Sequence, residues 1–99
     1  MYQEKSVVSF KLGSGEEIVA RFLRFVGPDF IVEHPTTLMP TQGKLTLVPA
    51  MFTGNLTGEV KISGASVVMT APAKDDIASL YLEAISGLTL PKTNKIIME

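Results

Sequence analysis

Between the turn residues Gly13-Ser14-Gly15 and Gly27-Pro28-Asp29 runs a stretch whose apolar spacing changes partway, EEIVARFLRF over residues 16–25. Ile18, Ala20 and Phe22 alternate with Glu17, Val19 and Arg21, the period of a strand with one buried face. Phe25 then falls on the wrong parity to share that face. One extra residue near Leu23, a β-bulge, produces such a slip and bends the strand where it occurs. A strand buried on both faces, which need not alternate, is the other way to read it. The bulge reading constrains the fold more: a strand that turns a corner serves both halves of a curled sheet, as a small barrel requires.

The rest of the chain fits around this element. Residues 6–12, SVVSFKL, read as a first strand leading through the glycine turn into the bent one. A third strand opens at Phe30-Ile31-Val32, is interrupted at His34-Pro35 and resumes through Thr36 to Met39, and residues 40–43 form a turn. A fourth strand covers 44–52, with an edge or a bulge at Pro49, which cannot donate to a ladder. A fifth is assembled from Val60 to Ile62 and from Ser66 to Thr70 around Ser63-Gly64-Ala65. The period then changes: Ile77, Leu80, Tyr81, Ala84 and Leu88 recur at helical spacing. Pro72 suits a first turn, Asp75 and Asp76 suit the positive end of the helix dipole, and Gly87 suits a left-handed cap. The reading is therefore one domain over 1–99, with a barrel over about 6–70, a helix over about 72–86 and a tail over 88–99 that carries the sticky run Ile96-Ile97-Met98.

Composition narrows the function. A 99-residue chain that is 45% hydrophobic has more apolar matter than a small domain easily hides, which points to a second copy of itself as the further burial site. Nine Lys and Arg face ten Asp and Glu, net charge −1, with no run of either sign. A single chain so balanced has no general attraction for phosphate backbones, although a symmetric ring can repeat one cation into a patch. The absence of cysteine removes disulfides, thiolate catalysis and cysteine-held metals. The stretch MYQEKSVVSF has neither the charged segment nor the apolar run of a signal peptide, and no apolar run is long enough to span a bilayer, so a cytoplasmic address without membrane contact is expected.

The stretch VSFKLGSGEEIVARFLRF resembles the first sequence motif of Sm-like proteins, the small barrels that include Hfq and the archaeal and eukaryotic Sm family. Leu12, Gly15, Ile18, Phe22 and Phe25 stand at its apolar and glycine positions, and Ala20 where the family has Ala or Gly. Farther on, KISGASVVMT is similar to the second Sm motif, matched by Ile62, Gly64, Val67 and Val68. The resemblance covers about residues 6–70, and with the helix the whole chain looks closest to a small Sm-like group from viruses of marine cyanobacteria. It implies a strongly bent, five-stranded antiparallel Sm-like (SH3-like) barrel whose subunits join edge to edge into a homo-oligomeric ring around a pore, with RNA as the partner. The edge candidates are residues 45–52 and 66–70, since exposed edges invite pairing and head-to-tail pairing that closes leaves none free.

Departures from the family pattern fall on the RNA site. Val26, Asp29 and Phe30 stand where the family has aspartate, methionine and a base-contacting asparagine; Phe30 cannot make those hydrogen bonds, though it can stack on a base. Ser63 replaces the usual arginine before the glycine, with Lys61 two residues earlier, and the helix follows the barrel instead of preceding it. Arg24, Phe30 and Lys61 are therefore the RNA-contact candidates, with Arg21 near them. A structural or protein-interaction ring without RNA is the alternative.

Other motifs are weaker. Gly13-Ser14-Gly15 lacks the Gly-Lys-Ser/Thr or third glycine of a phosphate cradle and reads as a hairpin turn. His34 beside Glu33 is a poor metal or base set, having no cysteine and no carboxylate cluster. Glu16-Glu17 and Asp75-Asp76 are adjacent carboxylates, not the separated pair of glycosidic chemistry. No nucleophile elbow surrounds any serine. Asn55-Leu56-Thr57 reads as loop. Met39, Met51 and Met69 with Phe52 form either an adaptable binding surface or core and subunit contacts. No enzyme, metal or cofactor is expected.

Overall fold

The computed structural model describes residues 2–89. It has six strands, β1 Val7–Leu12, β2 Glu17–Val26, β3 Asp29–Thr41, β4 Lys44–Pro49, β5 Glu59–Ile62 and β6 Val67–Pro72, followed by one helix, α1 Asp75–Thr89. The strands form an antiparallel sheet in the order β4-β3-β2-β1-β6, with β5 paired to the first part of β3.

The bend is where the parity slip placed it. Phe22 pairs with Val32 but Arg24 with Ile31, so β2 carries one extra residue, Leu23, against its partner. The bulge returns Phe25 to the side of Phe22, and their ring centroids lie 5.1 Å apart. The other reading of that slip also holds farther back along β2: Val19 is fully buried on the opposite side, under α1. A second shift falls on β3, where Val19 pairs with Thr36 and Arg21 with Glu33. The extra residue comes from His34-Pro35, and His34 takes a left-handed φ of 51°. The interruption expected there is thus a bulge inside one continuous strand.

The sheet buries both faces. On one, Val8, Phe10, Ile18, Ala20, Phe22 and Val32 form the main core, enclosed by the curl of the sheet itself. On the other, Val19 packs with Tyr81 and Ile85 of α1, flanked by Val7, Leu38 and Leu47. The Tyr81 hydroxyl accepts from the Arg21 backbone N–H at 3.0 Å and donates toward the carbonyls of Glu33 and His34, each at 3.0 Å. It thereby ties the helix to both bulged strands. Burial pushes the Tyr81 phenol up to about 12.

Several expectations need correction. The described residues form six strands, not five: the 3-10 turn Gly64–Ser66 divides the expected fifth strand, sending β5 to β3 and β6 to β1. No ladder joins β5 or β4 to β6 among the described residues, so the sheet is bent but not closed into a barrel. The fourth strand ends at Pro49 instead of 52. Pro72 closes β6 opposite Val8, where an edge strand tolerates its missing N–H, and α1 begins three residues later. Gly87 does not cap the helix, which runs on to Thr89. Residues 90–99 of the expected tail, with Ile96-Ile97-Met98, lie outside the described residues.

Three turns hold the strands in register. Gly15 (φ 97°) closes the β1–β2 hairpin, its N–H donating to the Leu12 carbonyl at 2.9 Å. Gln42 and Gly43, both at positive φ, form the two-residue β3–β4 turn. Gly27 (φ 59°) and Pro28 form the β2–β3 turn, which abuts the 3-10 turn: Asp29 Oδ1 accepts from the Gly64 N–H at 2.9 Å. A Cβ on Gly64 would run into the Pro28 carbonyl oxygen and carbon. Replacing Gly64 with Ala is expected to lower stability by about 2 kcal/mol or more, because backbone must yield on one side. The midpoint of urea unfolding measures this, and an unchanged midpoint would mean the two turns do not touch.

Candidate functional site

The three nominated residues divide between the two faces of the sheet. Across β2, β3 and β5 the rungs run Arg21–Glu33–Glu59, Phe22–Val32–Val60, Arg24–Ile31–Lys61 and Phe25–Phe30–Ile62. Alternate rungs point to opposite sides. Phe22, Val32, Phe30 and Ile62 belong to the main core, which puts Arg21, Arg24, Glu33, Glu59 and Lys61 on the outer face. Arg24 and Lys61 therefore share one rung, separated by Ile31. Phe30 lies on the other side, packed against Phe10 and Phe25 with ring centroids 5.0 and 5.1 Å away.

The outer face is an ion-pair network. The Arg24 guanidinium grips Glu59 with both terminal nitrogens, Nη1 to Oε2 at 2.9 Å and Nη2 to Oε1 at 2.6 Å. That hydrogen bond, with the charge behind it, holds the Glu59 carboxyl below its ordinary value and the guanidinium above its own. Both side chains are about half exposed, so water and dissolved anions compete for them and the pair is readily exchanged. Lys61 is exposed beside this pair, with no hydrogen bond or ion pair among the described residues.

On the same rung as Glu59, Glu33 is largely buried. Lys5 Nζ donates to its Oε2 at 2.7 Å, and Arg21 Nε lies 2.9 Å from the same oxygen, at an angle that makes an ion pair and not a hydrogen bond. Burial pushes the Glu33 carboxyl up, but the Lys5 hydrogen bond and the charges of Arg21, Lys5 and His34 outweigh it, leaving it below its ordinary value of 4.5. His34, 8% exposed, is pushed below its ordinary 6.5 by burial first, with Arg21 and Lys5 adding to this against the pull of Glu33. Its imidazole is neutral at pH 7.

Sequence reasoning passed over a cleft beside His34. The β3 bulge supplies His34 and Pro35, and the loop between β4 and β5 supplies Met51, Phe52, Asn55 and Leu56. The His34 N–H donates to the Leu56 carbonyl at 3.1 Å, and the Ala50 N–H to the Pro35 carbonyl at 3.0 Å, which pins the loop over the bulge. Asn55 Oδ1 accepts from the Thr57 N–H and hydroxyl, forming a local turn. The signal that could have found this site was the pairing of an interrupted strand with an apolar loop, Met51-Phe52, that has no periodicity of its own. Among the described residues there is no group of three side chains able to hold a metal ion, and no helix is long and apolar enough to cross a membrane. No family model and no curated protein matches this chain.

Of the lowered groups, buried His34 and Glu33 make stability fall as pH falls, at different points. Below 6.5 the unfolded imidazole takes a proton that folded His34 resists, and below 4.5 the unfolded carboxyl does the same relative to Glu33. Each protonation favours the unfolded chain. Urea midpoints measured against pH are expected to decline in two steps, and Glu33→Gln to remove most of the lower one. The lone histidine's NMR signals should titrate below 6.5, and titration at or above that value would mean that burial does not outweigh the pull of Glu33.

Proposed function

We propose that this chain is the subunit of an Sm-like homo-oligomeric ring that acts as a cytoplasmic RNA-binding scaffold, of the kind its resemblance to a viral Sm-like group implies, and not as an enzyme. The observation that carries the reading is the state of the two sheet ends. β4 and β6 terminate the strand order, each with one side unpaired among the described residues. They are also apolar where an ordinary edge is guarded by charge: Val68 and Met69 on β6 are each 63% exposed, and Leu45 on β4 is 53% exposed. Pairing β6 of one copy with β4 of the next satisfies both rows of backbone groups and covers these side chains, and it completes in the assembly the closure that the single chain lacks.

Within such a ring the Arg24–Lys61 rung repeats once per subunit. Lys61 is free to meet a phosphate, and Arg24 can exchange the exposed Glu59 for one, as its forked guanidinium suits either anion. Glu33 and Glu59 on the same face limit the positive field, so the expected contact is short and salt-sensitive. Phe30, turned into the core, supports the second reading, a ring that docks protein and has given up RNA.

Native mass measurement is expected to give a closed multiple of the 10.7 kDa chain. Val68→Lys, at a position already exposed in the single chain, is expected to shift the particle toward monomer without unfolding it, since a buried charge opposes strand pairing. A monomer in the unmodified protein would sink the ring. RNA affinity should fall steeply with salt, and its absence even at low ionic strength would leave the protein-docking ring.

A further inference from the structure

Among the described residues the most exposed aromatic is not the nominated Phe30 but Phe52, which is 83% exposed at the mouth of the cleft beside His34. The cleft has a volume of about 320 Å³, at the small end of ligand pockets. Its lining includes no Asp, Glu, Lys or Arg, and His34 is neutral, so it has no charge with which to attract a charged group. It does have hydrogen-bonding capacity. The buried imidazole makes no hydrogen bond among the described residues and offers one donor and one acceptor. Asn55 uses only its carbonyl oxygen for Thr57, which leaves its amide donors open. His34 also holds a left-handed φ immediately before a proline, a combination that sterics disfavour and that concentrates at functional positions.

From this set we infer that the cleft binds an unpaired nucleobase, stacked on Phe52 and read along its edge by His34 and Asn55. A base is planar, uncharged and carries both donors and acceptors, which matches an uncharged apolar cleft with one aromatic face, an imidazole that can donate and accept, and an amide with open donors. An aliphatic side chain would leave the imidazole and the amide unsatisfied. The neighbouring depression shares Pro35, Met51 and Leu56 with the cleft and is lined also by Glu16 and Lys61. The site lies within one chain and goes beyond the ring-face reading without requiring it. The base can come from a free nucleotide or from a single-stranded RNA.

The test is an NMR titration of the full chain with adenosine and uridine monophosphates and, separately, with short single-stranded oligonucleotides. The amide signals of His34, Phe52, Asn55 and Leu56 are expected to shift and saturate. Phe52→Ala, a change at an exposed position, is expected to weaken binding roughly tenfold, the loss of one base–aromatic stack; Asn55→Ala weakens it less. Saturation by mononucleotides supports a free nucleotide as the ligand, and saturation by oligonucleotides alone supports an RNA strand. Cleft signals that stay still with every nucleotide, or binding unchanged in Phe52→Ala, overturn the inference. So does a proline-rich peptide that moves these signals where nucleotides do not. An oligonucleotide that shifts Arg24 and Lys61 but leaves the cleft silent overturns it too, and leaves the ring-face reading standing.

Discussion

One extra residue in β2 organises this molecule. With Leu23 inserted against β3, Phe22 and Phe25 come to the same side, and a chain of ring contacts runs from Tyr2 through Phe22, Phe25 and Phe30 to Phe10. Without the slip, Phe25 would point to the outer face and the rungs beyond it would exchange sides, because a strand's side-chain period is two. The bend also gives the sheet an inside. The main core needs no second layer, since the curl of β1, β2 and β3 encloses it.

A second bulge, at His34-Pro35 on β3, has a different consequence. It lets the two ends of β3 take different partners, β5 first and β4 after. The loop joining those partners must then fold back over the bulge, where its backbone bonds to His34 and Pro35. The cleft follows from that geometry. The Tyr81 hydroxyl meets the same place from the other side, receiving the Arg21 N–H and reaching the carbonyls of Glu33 and His34. Helix, bulge and cleft are thus mechanically one region, and the charged network of Lys5, Glu33 and Arg21 borders it.

Much of this was legible before the structure. The broken alternation placed the β2 bulge near Leu23, glycines marked the three hairpin turns, and helical spacing found α1. The limits appear at particular residues. Pro72 reads equally well as a helix start or the end of an edge strand, and the choice depends on whether Val8 lies opposite. Gly87 reads as a cap but continues the helix. Ser63-Gly64-Ala65 reads as an irregularity in one strand, yet it separates two strands with different neighbours. For the candidate site, Arg24 and Lys61 do share a rung, but parity alone could not say that Phe30 belongs to the opposite face, because the bulge intervenes.

The order of residues by itself determined the local elements: where strands run, where the chain turns, which strand bends and which segment is helical. These follow from side-chain period and from backbone limits at glycine and proline, which act over a few residues. Only the tertiary structure decided that β5 and β6 part to different neighbours, that Phe30 is enclosed while Phe52 stands open, and that His34 faces a cleft. Those outcomes depend on contacts between segments far apart in the chain, where pairing and burial compete, and no short-range pattern records which contact wins.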